Sequence, residues 1–186
     1  MSSKIKTESK MEDMDCCNNV DNMDILEVML LPNDEAPDFN LMSVNSETIE
    51  EVSLSSFKGK KVLLVFFPIA MGVVTPSEFY QLDHLLDEFR NLNYAVIGIS
   101  TDPIESLNLW MEEKRAGGGL QGMDIILASD PSGDVGKKYN ILKDEENKNF
   151  KAAVLVDEDG KIILTQKSDF PVGISFEYIL DTMKTA

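Results

Sequence analysis

Val62 to Phe67 is an unbroken run of β-branched, aliphatic and aromatic residues, and such a run predicts a strand buried on both faces. Phe79, Leu82, Leu85, Leu86 and Phe89 then recur at helical spacing, which predicts a helix from Pro76 to about Asn91 with one apolar stripe. Ala95 to Ser100 reads as a second buried strand, Ile104 to about Arg115 as a second helix, and Ile125 to Ala128 as a third, short strand ahead of the Asp130-Pro131-Ser132-Gly133 turn. Ala152 to Val156 and Ile162 to Thr165 flank Asp157-Glu158-Asp159-Gly160, whose Asp-Gly ending marks a β-hairpin. A last helix starts near Ser175.

Strands alternating with helices, then an antiparallel hairpin and a final helix, predict an α/β protein with a mixed central sheet and helices on both faces. That element order is the order of a thioredoxin-like fold. One domain is expected over residues 31 to 186. Residues 1 to 30 lack a sustained period and are expected to form a disordered acidic tail, in which Ile25 to Leu31 is the one apolar run, a short strand or helical turn. Up to Ala36 the chain holds nine acids and three lysines. The triple glycine Gly117 to Gly119 has no Lys-Ser/Thr after it, so it is read as a flexible loop and not as a phosphate loop.

Charge narrows the function classes. Against 17 basic side chains stand 33 acidic ones, a net charge of −16, and that field disfavours nucleic acid and anionic membranes. Nothing approaches the roughly 20 apolar residues of a membrane span, and the N-terminus lacks the basic-then-apolar plan of a signal peptide. A cytoplasmic protein is the expectation. The only cysteines, Cys16 and Cys17, are adjacent, so neither a disulfide framework nor a spaced metal site can be drawn, and no metal or cofactor is expected.

Ala36-Pro37-Asp38-Phe39, Ser53-Leu54 through Phe57-Lys58-Gly59-Lys60, Val62 to Pro68 and Pro76-Ser77-Glu78 follow one another in register. Trp110 with Arg115, Gly118-Gly119-Leu120, Asp130, Tyr139, the Asp157 to Gly160 turn and Pro171-Val172-Gly173 extend the set to nearly all of the ordered chain. On these residues the sequence resembles the two-cysteine, AhpC/TSA-like peroxiredoxins. The resemblance implies an active-site loop with a threonine and a reactive cysteine before Pro-Thr-Glu, and arginines brought in from later elements. Here the loop reads Pro68-Ile69-Ala70-Met71-Gly72-Val73-Val74-Thr75-Pro76-Ser77-Glu78. Gly72 stands where the family has threonine, and Thr75 where it has the peroxidatic cysteine. Arg115 matches the first arginine, Ile174 stands at the second, and no later cysteine supplies a resolving thiol.

Peroxide reduction needs a thiolate that becomes a sulfenic acid and is reduced in turn. A threonine hydroxyl cannot enter that cycle, because accepting an oxygen atom would only create another O–O bond. Thr75-Pro76-Ser77-Glu78 instead reads as a capping box, with Thr75 before the helix and Glu78 reaching back to it. Arg115 is then a salt-bridge partner for Glu78 or an anion ligand in a relict pocket, and His84 a solvated helix residue matching no family site. Asp13 and Asp15 beside the cysteine pair disfavour its thiolates.

Two functions follow as expectations. The first is a pseudoenzyme that serves as a binding, chaperone or regulatory scaffold, a homodimer or higher homo-oligomer with other peroxiredoxins or client proteins as partners. The second is a thiol-dependent antioxidant peroxidase that uses Cys16, Cys17 or a partner's thiol in redox homeostasis.

Overall fold

The computed structural model describes residues 30–46, 48–72, 75–168 and 173–185. The expected tail therefore lies outside the described residues except for Leu30, as does most of the Ile25 to Leu31 run. Nine strands are present among the described residues: β1 (Asn40–Val44), β2 (Ile49–Ser53), β3 (Lys61–Phe66), β4 (Tyr94–Ser100), β5 (Ile126–Ser129), β6 (Leu142–Lys143), β7 (Lys148–Asn149), β8 (Lys151–Val156) and β9 (Ile162–Ser168). The helices are α1 (Thr75–Asn91), α2 (Ile104–Glu112), α3 (Asp134–Lys138) and α4 (Phe176–Thr185).

Seven strands form the main sheet in the order β2-β1-β5-β4-β3-β8-β9, and β6 pairs with β7 separately. β3, β4 and β5 run parallel, while β1, β8 and β9 pair antiparallel with their neighbours. The expected mixed α/β sheet is thus present, with the run at Val62 inside it between β4 and β8, buried throughout. Alternation along β3 splits the core in two. Leu63, Val65 and Phe67 join Phe79, Leu82, Leu107, Trp110 and Ile179 on the face that carries α1, α2 and α4. Val62, Leu64 and Phe66 join Phe39, Val135, Tyr139 and Ile141 on the face that carries α3 and the connecting segments. The two faces are unequally covered, with three helices on one and a five-residue helix on the other.

The expected hairpin forms, and Asp157 shapes its turn by accepting the Asp159 N–H at 3.0 Å and the Lys161 N–H at 2.7 Å on one carboxylate oxygen. Gly160 takes φ +86°, a left-handed conformation that glycine adopts without strain. Two expectations are corrected. The second helix stops at Glu112, with Glu113 already extended, and Arg115–Gly117 is a separate 3-10 turn. The triple glycine is a packed turn and not a flexible loop: Gly119 is buried, and a Cβ there would run into the Glu113 carbonyl. Its neighbour's Gly118 carbonyl accepts the Trp110 indole N–H at 2.9 Å, and the Gly119 carbonyl accepts the Tyr80 hydroxyl at 2.8 Å.

Tyr94, the first residue of β4, is 3% exposed and its hydroxyl meets no hydrogen-bond partner. Burial, with Glu158 and Asp157 adding negative charge nearby, pushes the phenol up to about 12. The fold thus holds the phenol neutral: stability is level below the unfolded value of about 10 and falls as pH rises from there through about 12. Tyr94→Phe removes an unpaired buried hydroxyl, so urea unfolding at pH 7 should show no loss of stability or a gain of up to about 1 kcal/mol. Between pH 10 and 12 the native chain should lose stability faster than the variant.

Candidate functional site

The site lies where β3 ends and α1 begins. Phe67 to Gly72 leave the sheet in a loop that Asp102, just past β4, holds in place: the Ala70 N–H donates to Asp102 Oδ2 at 2.7 Å, and the Ser100 hydroxyl donates to the same oxygen at 2.8 Å. Pro68 is half-buried within this loop. Met71 adopts φ +55° and leaves its side chain exposed, as is Ile69. Thr75 is 3% exposed at the head of α1. Beneath it Phe67, Phe79 and Trp110 form an aromatic floor, with centroids 5.0 Å apart for Phe67–Phe79, 5.1 Å for Phe79–Trp110 and 5.7 Å for Phe67–Trp110. Edge-to-face packing of this kind adds to simple burial.

Gly72 and Thr75, matched separately by sequence, are brought together. A Cβ built on Gly72 would stand 3.0 Å from Ile69 Cγ2 and 3.2 Å from Thr75 Oγ1. Both distances are tighter than ordinary packing, so a side chain at residue 72 requires Ile69 or Thr75 to shift.

The expected capping box is corrected. α1 starts at Thr75 itself, so the threonine is the first helical residue and not the residue before the helix. The Glu78 carboxylate, which was to close the box, gives Oε1 to the Lys151 ammonium at 2.8 Å. That pair is nearly out of water, with side chains 6% and 14% exposed for Lys151 and Glu78. Gly173 seals it from the C-terminal side, since a Cβ there would come within 2.7 Å of Glu78 Oε1. Ile174, next along, is buried in the core among the residues of α4.

Arg115 is corrected as a partner of Glu78. Its Nη2 donates to Asp83 Oδ2 at 2.7 Å, its Nε donates to the Gln121 carbonyl at 3.3 Å, and its guanidinium lies 5.7 Å from the Tyr80 ring centroid. It clamps the turn after α2 against the exposed flank of α1. The cation that meets the head of α1 is Lys151, which sequence reasoning missed. The signal was present: a charged residue opening a strand whose six residues are all buried must find an opposite charge. His84 is exposed on α1, as expected. Cys16 and Cys17 lie outside the described residues, none of which carries a thiol. No cluster that could hold a metal ion occurs among the described residues, and no helix among them is long and apolar enough to cross a membrane.

The fold and sequence have known relatives. The family model described as AhpC/TSA matches residues 32–165. A thioredoxin peroxidase of Fasciola hepatica is 33% identical over 152 residues, 82% of this chain and 78% of the relative. Peroxiredoxin-1 of Gekko japonicus is 34% identical over 146 residues, 78% of this chain and 73% of its own. Among solved structures, the reduced 2-Cys peroxiredoxin of Plasmodium vivax superposes with a TM-score of 0.79 at 32% identity, over 82% of this chain and 80% of that one. A Plasmodium yoelii Prx1a modified at its N-terminus, described as forming an artifactual octamer, gives 0.75 at 32% identity, over 81% and 88%.

The buried pair sets a stability test. Lys151→Met leaves the Glu78 carboxylate without its partner and should cost about 3 kcal/mol in urea unfolding. Adding Glu78→Gln to Lys151→Met should recover more than half of that loss. Strictly additive losses would mean that the two side chains do not stabilise each other.

Proposed function

Because the chain belongs to the AhpC/TSA family of peroxiredoxins, we propose that it keeps the family's scaffold without its peroxide chemistry and acts as a binding, chaperone or regulatory partner. The observation that carries this reading is Thr75, an oxygen side chain at the position that the family resemblance gives to the reactive sulfur. Turnover needs a side chain that accepts an oxygen atom and later gives it up to a thiol, and threonine does neither. The surroundings support the reading. Gly72 leaves no room for a side chain beside Thr75 Oγ1 without displacement, and the buried Lys151 is already engaged by Glu78.

The second reading is a thiol-dependent peroxidase that uses Cys16, Cys17 or a partner's thiol. What favours it is the company the chain keeps, since its relatives include a thioredoxin peroxidase. The two readings separate on one assay, peroxide consumption with a thiol reductant. The native chain is expected to turn over no faster than its C16S/C17S variant. Turnover in the first that vanishes in the second establishes the peroxidase. Thr75→Cys in the C16S/C17S background should regain activity at least about 10²-fold below that of a two-cysteine relative, because the donors around the reacting oxygen are missing as well.

We extend the scaffold reading to assembly and localisation: the protein self-associates and works in the cytoplasm, without nucleic acid or membrane as partner. With no oxidisable side chain at the head of α1, that helix has no redox step to unwind it. Light scattering before and after peroxide treatment should give the same mass. A peroxide-dependent change that persists in C16S/C17S would overturn the proposal.

A further inference from the structure

β2 ends one side of the main sheet: its inner edge pairs with β1, and no strand among the described residues pairs with its outer edge. The phase of the ladder decides which backbone groups face outward. At the turn the Asn45 N–H donates to the Thr48 carbonyl at 3.1 Å, which makes these two a hydrogen-bonded pair. Bonded pairs alternate along an antiparallel ladder. Ser43 with Glu50 and Leu41 with Val52 are therefore bonded, whereas Ile49, Glu51 and Ser53 turn their N–H and C=O groups away from β1. The Ser53 carbonyl is already taken by the Ser56 hydroxyl at 2.6 Å. The outward N–H and C=O groups of Ile49 and Glu51 enter no hydrogen bond among the described residues.

Side chains along this edge are open as well. Ile49 lies opposite Val44, on the face that carries α2, and is 50% exposed. Met42, its diagonal neighbour on β1, is on the same face and 42% exposed. Glu50 and Glu51 are both exposed, one on each face of the sheet. The Glu51 carboxylate accepts the Asn40 side-chain amide at 3.3 Å, and among the described residues no ion pair reaches either glutamate. Lys138, which shares a hollow with Glu51 and Ser53, gives its ammonium to the Asp38 carbonyl at 3.4 Å.

We propose that the outer edge of β2 is a docking site for an extended, basic segment of another protein, which adds to the sheet antiparallel to β2 and sets two consecutive cationic side chains against Glu51 and Glu50. Bare backbone groups on an edge strand invite a further strand. A second copy of this chain is a poor occupant, because it brings the same two glutamates and a net charge of −16 to the edge. The charges that repel a copy attract a cation, so one feature both excludes and selects. Successive residues of a strand point to opposite faces. The partner's residues opposite Glu51, Glu50 and Ile49 therefore read basic, basic, apolar. This docking is independent of whether the chain turns over peroxide.

Fluorescence anisotropy with the full chain tests this, with the labelled peptide Ser-Thr-Lys-Arg-Val-Thr-Ser as the probe. Saturable binding is expected. E50K/E51K should weaken it at least about tenfold. E145K/E146K, the same charge change in the exposed turn between β6 and β7, should leave it within about twofold. Backbone N-methylation of the peptide's lysine, which removes the N–H aimed at the Glu51 carbonyl, should weaken binding about tenfold without changing any charge. Binding that E145K/E146K weakens as much as E50K/E51K, or that N-methylation leaves unchanged, would overturn the proposal, since net charge alone would then hold the peptide. Absence of saturable binding would do the same. So would a fall in the native chain's scattered mass on peptide addition, since a second copy would then occupy the edge.

Discussion

A lysine drawn below the surface governs how this end of the molecule is built. Lys151 opens β8, Glu78 stands on the first turn of α1, and their side chains meet at 2.8 Å with little water contact. A charge in that position is costly alone and tolerable when paired, so strand and helix are held in one relative position. Everything at the mouth of the loop inherits that position. Thr75 falls at the helix head above Phe79, and Gly173 lets the segment before α4 pass close to the carboxylate.

Two independent features, one chemical and one steric, remove peroxide chemistry from this scaffold in the reading proposed here. The chemical one is the hydroxyl of Thr75 in place of a thiol. The steric one is the loop, which Asp102 pins through the Ala70 N–H and in which a Cβ on Gly72 would stand 3.2 Å from Thr75 Oγ1. In that reading the fold is kept for contact and not for turnover.

The parts of this architecture that sequence made legible are those in which one residue's burial decides its neighbours. Val62 to Phe67 and the stripe from Phe79 to Phe89 are read correctly because full burial and a single apolar face leave plain periodicities. β1 and β2 escape such reading: they lie toward the rim, and Ile49, Glu50 and Glu51 are all exposed, so no alternation survives. The capping box fails for a different reason. Local spacing offered Glu78 to Thr75, yet a lysine 73 residues away in sequence claims the carboxylate. Arg115 fails in the same way, since proximity in the family pattern gave no hint that Asp83 would take it. Pairings between distant side chains are set by the completed fold and leave no local mark.

The pairing of β3 with β8 has a further consequence, for synthesis of the chain. Val62 lies opposite Val156 and Phe66 opposite Ala152, so an interior strand of the sheet waits for residues made long after it. A growing chain on the ribosome can pair β3 with β4, but must hold the other edge of β3 open until β8 emerges. During that interval a strand that is buried in the finished fold lies open along one edge, and this is when the newborn chain is most exposed to wrong pairing.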